Sequence, residues 1–156
     1  MAASTRPACL EARNGPGGAD AAASTATGRT NEAMRLRGIR GATTVDANTR
    51  EAILEASTEL LSALIEANDV HRDDVASAFF TTTPDLTAEF PAVAARQTLG
   101  WSHVALMCGH EMNVPGSLPM CLRILLHVNT DRTPGELKFI YLRGARALRD
   151  DLTEDA

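Results

Sequence analysis

The sequence predicts one α/β domain, in which a mixed β-sheet has helices packed against it. The chain has 156 residues, a length that suits one ordinary domain. Hydrophobic residues make up 44% of the sequence, which is enough to build a core. Short apolar runs typical of strands alternate with longer segments of helical periodicity, in the order β-α-β-α-β-α-β. These three observations indicate the fold class.

The first strand is predicted over residues 36–45, an apolar and β-branched run that two glycines interrupt. A helix follows, because Asn48 and Glu51 have the spacing of a capping box. Its apolar face continues to about Asn68.

The remaining elements continue the alternation and are assigned by apolar runs, by proline at a helix start and by glycine at a helix end. They are a strand over 75–82, a helix from Pro91 to Gly100, a strand over 104–108, a helix over 118–128 and a strand over 137–142. A short charged tail begins at Gly144.

We expect three regions: a disordered extension over 1–33, the folded domain over 34–152 and a flexible tail over 153–156. In the first region, 22 of 33 residues are Ala, Gly, Pro, Ser or Thr, and Leu10 is its one large branched aliphatic residue. Such a segment buries too little apolar surface to offset an ordering entropy of about 1–2 kcal/mol per residue.

Charge and composition exclude several classes of partner. The net charge is −5 at pH 7, so we expect no nucleic-acid partner, because phosphate binding requires clustered positive charge. Gly38 and Gly41 form a Gly-x-x-Gly motif flanked by arginines, as in an RNA-binding KH loop. That loop joins two helices, whereas this motif lies in a predicted strand, where glycines mark a bulge or a close backbone approach.

The sequence also indicates a cytoplasmic protein with no membrane partner. The first 20 residues contain no apolar segment of a secretion signal. No apolar run approaches the roughly 18 residues of a membrane-spanning helix. The three cysteines include no C-x-x-C pair and do not form a disulfide framework.

Charged residues at positions where solvated charges are not expected point to a binding pocket. Arg40 lies inside the first strand, Arg123 lies within the apolar segment predicted as a helix, and Glu111 follows a buried strand. Tyr141 lies in the last strand, with Arg149 eight residues later. Each alone is more often a surface charge or a buried ion pair. Together they predict a pocket for a small polycarboxylate anion, because guanidinium groups pair bidentately with carboxylates.

No cofactor or metal is expected in this pocket. Cys108, His110 and Glu111 lie close together, but the histidines lack the spacing of a zinc site. Cys108 could act as a nucleophile only with a basic partner, and a structural thiol is favoured. The chemistry left is positioning and electrostatic stabilisation.

Five separated blocks carry a resemblance to a known family. They lie at Arg37–Thr44, at Thr83–Leu86 with Phe90–Ala92, at Cys108–Gly116, at Cys121–Arg123, and at Tyr141–Leu142 with Leu148–Arg149. In these blocks the sequence resembles the AroH class of monofunctional chorismate mutases, over about residues 34–152. The resemblance implies a homotrimer of mixed α/β subunits that form a pseudo α/β-barrel, with active sites at the subunit interfaces and no cofactor.

The implied reaction is the Claisen rearrangement of chorismate to prephenate, on the branch toward phenylalanine and tyrosine. By the same resemblance, Arg40 and Tyr141 hold the side-chain carboxylate of the substrate, and Arg123 faces its ether oxygen. Glu111 accepts a hydrogen bond from the ring hydroxyl, with Cys108 nearby.

The resemblance further implies a set of residues at the edges of the site. Phe90, from the neighbouring subunit, and Leu148 form apolar walls, Ala92 contacts substrate, and Arg149 closes the mouth.

Two departures from the family pattern bear on substrate affinity. Val93 stands where some relatives have a basic residue, and Asp150 stands where proline is expected. We expect weaker attraction of the dianion and a more flexible tail.

Two other functions remain open at this stage: an imine deaminase on a similar trimer, and a non-catalytic trimeric protein that binds chorismate or a similar carboxylate.

Overall fold

The computed structural model describes residues 33–149. Five strands and two helices follow the order β1 (Arg35–Thr44), α1 (Arg50–Asn68), β2 (Val75–Thr82), α2 (Ala92–Gln97), β3 (Ala105–His110), β4 (Cys121–Thr130) and β5 (Ile140–Tyr141). Short 3₁₀ helices lie at Arg72–Asp74, Pro134–Glu136 and Arg143–Leu148. Apart from Ala33, the predicted extension over 1–33 lies outside the described residues, as do Asp150 and the tail over 153–156, and those expectations stay predictions.

The strands form one mixed sheet in the order β3-β2-β4-β1-β5. Strand β4 is central and pairs antiparallel with both β1 and β2, whereas β3 and β5 join the outer edges in parallel. The pairing of β1 with β4 is the longest, from Arg35 opposite Thr130 to Thr44 opposite Cys121. The predicted mixed α/β class is therefore confirmed.

The helix predicted over 118–128 is wrong, because this segment forms strand β4. Leu122, Ile124 and Leu126 point to the covered face of the sheet and are fully buried. Leu125 lies on the other face and is also apolar. The strict alternation of apolar and polar residues that identifies a strand is therefore broken in this segment. A central strand with apolar residues on both faces cannot be distinguished from a buried helix by periodicity alone.

Other predicted boundaries also change. The last strand is confined to Ile140–Tyr141 rather than 137–142, and the second helix is Ala92–Gln97 rather than the span from Pro91 to Gly100. The first helix is capped by Thr49, whose Oγ1 accepts a hydrogen bond from the Ala52 amide at 3.3 Å. Asn48 instead accepts hydrogen bonds from the amides of two loop residues, Thr87 and Ala88, through Oδ1.

Helix α1 covers one face of the sheet and forms the main core with it. Its apolar stripe of Ile53, Leu60, Leu61 and Leu64 is fully buried, as the helical periodicity predicts. The β1, β2 and β4 residues that face α1 are also buried; they include Ile39, Phe80, Leu122, Ile124 and Leu126.

The opposite face of the sheet is more exposed. Met107 of β3 is 61% exposed and Leu125 of β4 is 38% exposed. A small cluster of Ala42, Cys121 and Ala145 forms near the 3₁₀ helix that follows β5. Polar and apolar side chains are therefore left accessible together on this face.

No helix within residues 33–149 is both long enough and apolar enough to cross a membrane.

Gly41 lies at a close backbone approach between β1, α1 and β5. A Cβ added there would lie 2.6 Å from the Ile140 carbonyl oxygen and 2.9 Å from Cδ1 of Leu60. A Cβ at Gly38 would meet only Cδ1 of Leu125, at an ordinary 3.6 Å. The first glycine of the motif is therefore replaceable on steric grounds, and the second is not.

We predict that Gly41→Ala lowers the free energy of unfolding by about 1–3 kcal/mol, the usual cost of overpacking a core. Urea denaturation monitored by circular dichroism measures the change. Gly38→Ala is the matched control and is expected to unfold at the wild-type urea concentration or slightly above it, because glycine weakens a strand. Equal destabilisation by the two variants would contradict the close approach at Gly41.

Candidate active site

A cavity of about 590 Å³ opens on the face of the sheet away from α1. Its charged and polar lining consists of Arg40, Thr81, Arg123, Tyr141 and Arg149, and Phe79, Leu125 and Leu148 supply apolar walls. This is the arrangement that a small anion with an apolar ring requires: guanidinium groups for charge and a few apolar side chains for shape.

The register of the sheet brings these residues together. Arg123 of β4 lies opposite Thr81 of β2 on one side and opposite Ala42 of β1 on the other. Ala42 in turn lies beside Tyr141 of β5. Residues in register across a sheet point to the same face, so this row places Arg123 and Tyr141 around a small alanine. Arg40 lies two residues before Ala42 on the same face.

Glu111 and Arg123 form the central ion pair of the site. The second oxygen of Glu111, Oε1, accepts a hydrogen bond of 2.6 Å from the Thr81 hydroxyl. The Glu111 side chain is 18% exposed and that of Arg123 is 36% exposed. One guanidinium is thus held by a partly buried carboxylate at the edge of the cavity.

Aromatic rings lie under two of the other arginines. The guanidinium carbon of Arg40 lies 5.3 Å from the centroid of the Phe139 ring, and that of Arg149 lies 5.9 Å from the Tyr141 ring. Both distances fall within the range of cation–π contacts. These rings restrict the guanidinium groups while leaving them accessible from the cavity.

The structure therefore brings together six of the residues singled out from the sequence: Arg40, Glu111, Arg123, Tyr141, Leu148 and Arg149.

Phe90, Ala92 and Cys108 do not lie in this cavity within one chain. Cys108 pairs with Phe80, whose side chain is buried in the core, so the thiol points to the helical face. Phe90 and Cys108 line a separate cavity of about 340 Å³. Phe90 is 67% exposed there, whereas Ala92 is buried.

Neither described cysteine is an activated nucleophile. Burial raises the pKa of the Cys108 thiol, and a hydrogen bond from the Ala92 amide and the charge of Arg96 oppose that rise. Burial, together with the Asp85 carboxylate, raises the pKa of Cys121 to about 11. Both groups are thiols at neutral pH, and thiols are poor nucleophiles.

Thr81 and Arg96 were not identified from the sequence. Thr81 belongs to the run Thr81-Thr82-Thr83 at the end of β2, and nothing in that run distinguishes it, because its hydrogen bond to Glu111 depends on how the strands pair. Arg96 lies at the end of α2 near Cys108. Val93, which precedes it by one turn, is buried.

The Thr83-Pro84-Asp85 motif fixes the start of β4, two residues before Arg123. Asp85 accepts a hydrogen bond from the Met120 amide at 2.7 Å and another from the Thr83 hydroxyl. The Thr83 oxygen accepts a hydrogen bond from the Cys121 amide at 2.9 Å. Met120 has a φ of 52°, in the left-handed region, so these bonds hold a strained turn.

Comparison with known proteins identifies the family. A family model described as "Chorismate mutase type I" matches residues 36–152. The chain belongs to the chorismate mutase type I family. Two similar proteins are named Chorismate mutase AroH. The one from Bacillus subtilis (strain 168) is 42% identical over 120 residues, which cover 77% of this chain and 94% of that protein. The one from Thermus thermophilus is 48% identical over 118 residues, 75% of this chain and 96% of that protein.

A solved structure agrees with this assignment. A chorismate mutase from Clostridium thermocellum matches with a TM-score of 0.70 at 48% identity, covering 71% of this chain and 98% of that chain. The predicted AroH class, chorismate mutase function and isomerase class are confirmed for this family member, and the imine deaminase and binding-protein alternatives are not favoured.

The Asp85 hydrogen bonds make a pH-dependent contribution to the stability of this family member. The bond from Thr83, followed by that from the Met120 amide, holds the pKa of Asp85 below its usual range. A lowered pKa in the folded state stabilises the fold above the unfolded-state pKa of about 3.9, and the stabilisation is lost as pH falls through the folded value.

We therefore predict that Asp85→Asn lowers the free energy of unfolding at pH 7 by about 1 kcal/mol, because the hydrogen bonds are charge-assisted but solvent-exposed. The difference from wild type should shrink between pH 5 and pH 3. Urea denaturation at the three pH values provides the measurement, with the exposed Asp73→Asn as control. A difference that stayed constant down to pH 3 would refute a role for the Asp85 charge.

Proposed function

We propose that this chain performs the rearrangement of chorismate to prephenate at the 590 Å³ cavity, with Arg123 as the main catalytic residue. One observation carries the proposal: Arg123, fixed by Glu111, lies on the same sheet face as Arg40 and Tyr141. The side-chain carboxylate and the breaking ether bond require separate polar contacts, and this set offers both.

The reaction needs no acid, base or covalent intermediate, because bonds form and break within one molecule. A protein accelerates it in two ways. It can hold the compact conformer in which the reacting carbons are close, and it can stabilise charge that develops only in the transition state. The lining residues of the cavity suit both tasks.

The residues take the following roles. Arg40 and Tyr141 hold the side-chain carboxylate, which restrains the enolpyruvyl arm over the ring. Arg123 faces the ether oxygen, where negative charge grows as the C–O bond breaks. Glu111 accepts a hydrogen bond from the ring hydroxyl. The partly buried carboxylate of Glu111 holds the Arg123 guanidinium in place, so little reorganisation is needed at the transition state.

We further propose that the active unit is a homotrimer in which a neighbouring subunit completes each site. The face that carries the cavity has exposed apolar side chains, among them Met107 and Leu125, which association would bury. Phe90, Ala92 and Cys108 lie away from the cavity of their own chain. A neighbour's Phe90, exposed and aromatic, would supply the missing wall against the substrate ring.

Leu148 and Arg149 then act at the mouth of the site. Leu148 ends the last 3₁₀ helix, Arg149 follows it, and both line the cavity. Arg149 offers a further positive charge to the dianion. A role in phenylalanine and tyrosine biosynthesis and a cytoplasmic location accompany this proposal as predictions.

The first test removes the Arg123 charge. Arg123→Ala is expected to lower kcat by at least about 10²–10³-fold, the effect typical of losing one donor to a developing oxyanion. The loss of chorismate absorbance gives the rate. Arg72→Ala, which removes an exposed arginine of the 3₁₀ helix before β2, is the control and should retain wild-type kcat. Near-wild-type turnover in the folded Arg123→Ala protein would overturn the proposed mechanism.

The second test examines whether the site is shared. Native mass measurement should give about three times the subunit mass of 16.6 kDa. Arg123→Ala and Phe90→Asp should each be nearly inactive alone, the latter because it places a carboxylate against the dianion. In trimers refolded from an equal mixture, about one site in four receives both wild-type residues. We expect about a quarter of wild-type activity to return. A mixture no more active than its components would contradict a shared site.

A further inference from the structure

The Glu111–Arg123 ion pair spans a strand. Glu111 follows β3 and Arg123 lies on β4, and β2 lies between these two strands. Neighbouring strands are about 4.8 Å apart, so the backbones of β3 and β4 are separated by roughly 10 Å. The two side chains therefore meet above β2, and the β2 residue beneath their contact is Thr81.

The sheet register defines that position. Thr81 pairs with Arg123 on one side and with Gly109 on the other. Gly109 has no side chain, and nothing lies within 4 Å of where its Cβ would be. Glu111, two residues further along the same face, extends the ladder by donating its amide to the Thr82 carbonyl at 2.9 Å. The Glu111 carboxylate thus has open space across Gly109 toward Thr81.

Thr81 and Arg123 hold different oxygens of one carboxylate. The Thr81 hydroxyl donates to Oε1 at 2.6 Å, and Arg123 pairs with Oε2. A carboxylate that is held at both oxygens cannot rotate freely about the Cγ–Cδ bond. The orientation of Glu111 then determines where the Arg123 guanidinium lies.

We infer that Thr81 is a positioning residue for the rearrangement: its hydroxyl orients Glu111, which in turn fixes Arg123 toward the breaking ether bond. This inference rests on the proposed roles of Arg123 and Glu111 and adds a third residue to that unit. Position 81 requires a side chain that is short, because the ion pair crosses above it, and that carries a donor, because Oε1 faces it.

The direct test compares Thr81→Val with Thr81→Ser. Valine has nearly the shape of threonine but places a methyl group against Oε1, so the charged oxygen loses its donor. We expect kcat to fall about tenfold, with KM within about twofold of wild type, because a displaced Arg123 affects the transition state more than substrate binding. Thr81→Ser keeps the hydroxyl, so the kcat of this variant should lie within about twofold of the wild-type value.

Ser77→Ala is the matched control. Ser77 lies on the same strand and face, and its hydroxyl is hydrogen bonded to His127 at 2.9 Å, away from the ion pair. It should retain wild-type kcat. Thermal unfolding of all variants checks that the fold is intact. If Thr81→Val does not fold, Thr81→Ala takes its place with the same expectation.

A double-mutant cycle distinguishes positioning from a general structural role. If Thr81 acts through Glu111, then Thr81→Val should change kcat by less than about twofold in a Glu111→Ala background. A purely structural defect would lower kcat by the same factor in both backgrounds.

Three results would overturn the inference: wild-type kcat in Thr81→Val, equal losses in the valine and serine variants, or full additivity with Glu111→Ala. None of these results would contradict the proposed function. The proposed function fails if the wild-type protein does not convert chorismate or if Arg123→Ala retains wild-type activity.

Discussion

The antiparallel pairing of β4 with both β1 and β2 is the constraint on which the site depends. Because side chains alternate along a strand, the register that buries Leu122, Ile124 and Leu126 against α1 also directs Arg123 to the other face. A shift of the β4 register by one residue would bury Arg123 and expose Leu122, Ile124 and Leu126. The energy of the hydrophobic core thus holds the Arg123 guanidinium, the proposed catalytic group, on the side where Thr81 and Ala42 lie beside it.

Electrostatic contacts hold the arginine side chains that the strand register places on this face. A partly buried guanidinium is costly without a partner, and Glu111 supplies one at the edge of the cavity. Aromatic rings lie under the guanidinium groups of Arg40 and Arg149 and restrain both groups at the cavity. An acidic chain can therefore present a cavity lined by three arginines, because its net charge of −5 does not determine where individual charges lie.

The sequence predicted the order of most elements, the single sheet and the apolar face of α1, since these follow from local periodicity and composition. It failed at β4, where Leu125 on the open face made a buried strand resemble a helix. The short α2 and β5 were also predicted too long, because their boundaries depend on tertiary contacts such as the approach of Ile140 to Gly41.

Among site residues, Arg40, Glu111, Arg123, Tyr141 and Arg149 were identifiable as charged or polar groups at unexpected positions. Thr81 was not identifiable, since its proposed role depends on the pairing of β2 with two other strands. The separation of Cys108 from Arg123 was not predictable either, because it depends on the face of the sheet to which each side chain points.

The most direct measurement is a crystal structure of the protein with a bicyclic dicarboxylate ether that mimics the transition state, since such compounds bind where the transition state is stabilised. We predict the ether oxygen within hydrogen-bond distance of the Arg123 guanidinium, a carboxylate on Arg40 and Tyr141, and Phe90 of a neighbouring subunit against the ring. A compound bound without contact to Arg123, or enclosed entirely by one subunit, would contradict this prediction.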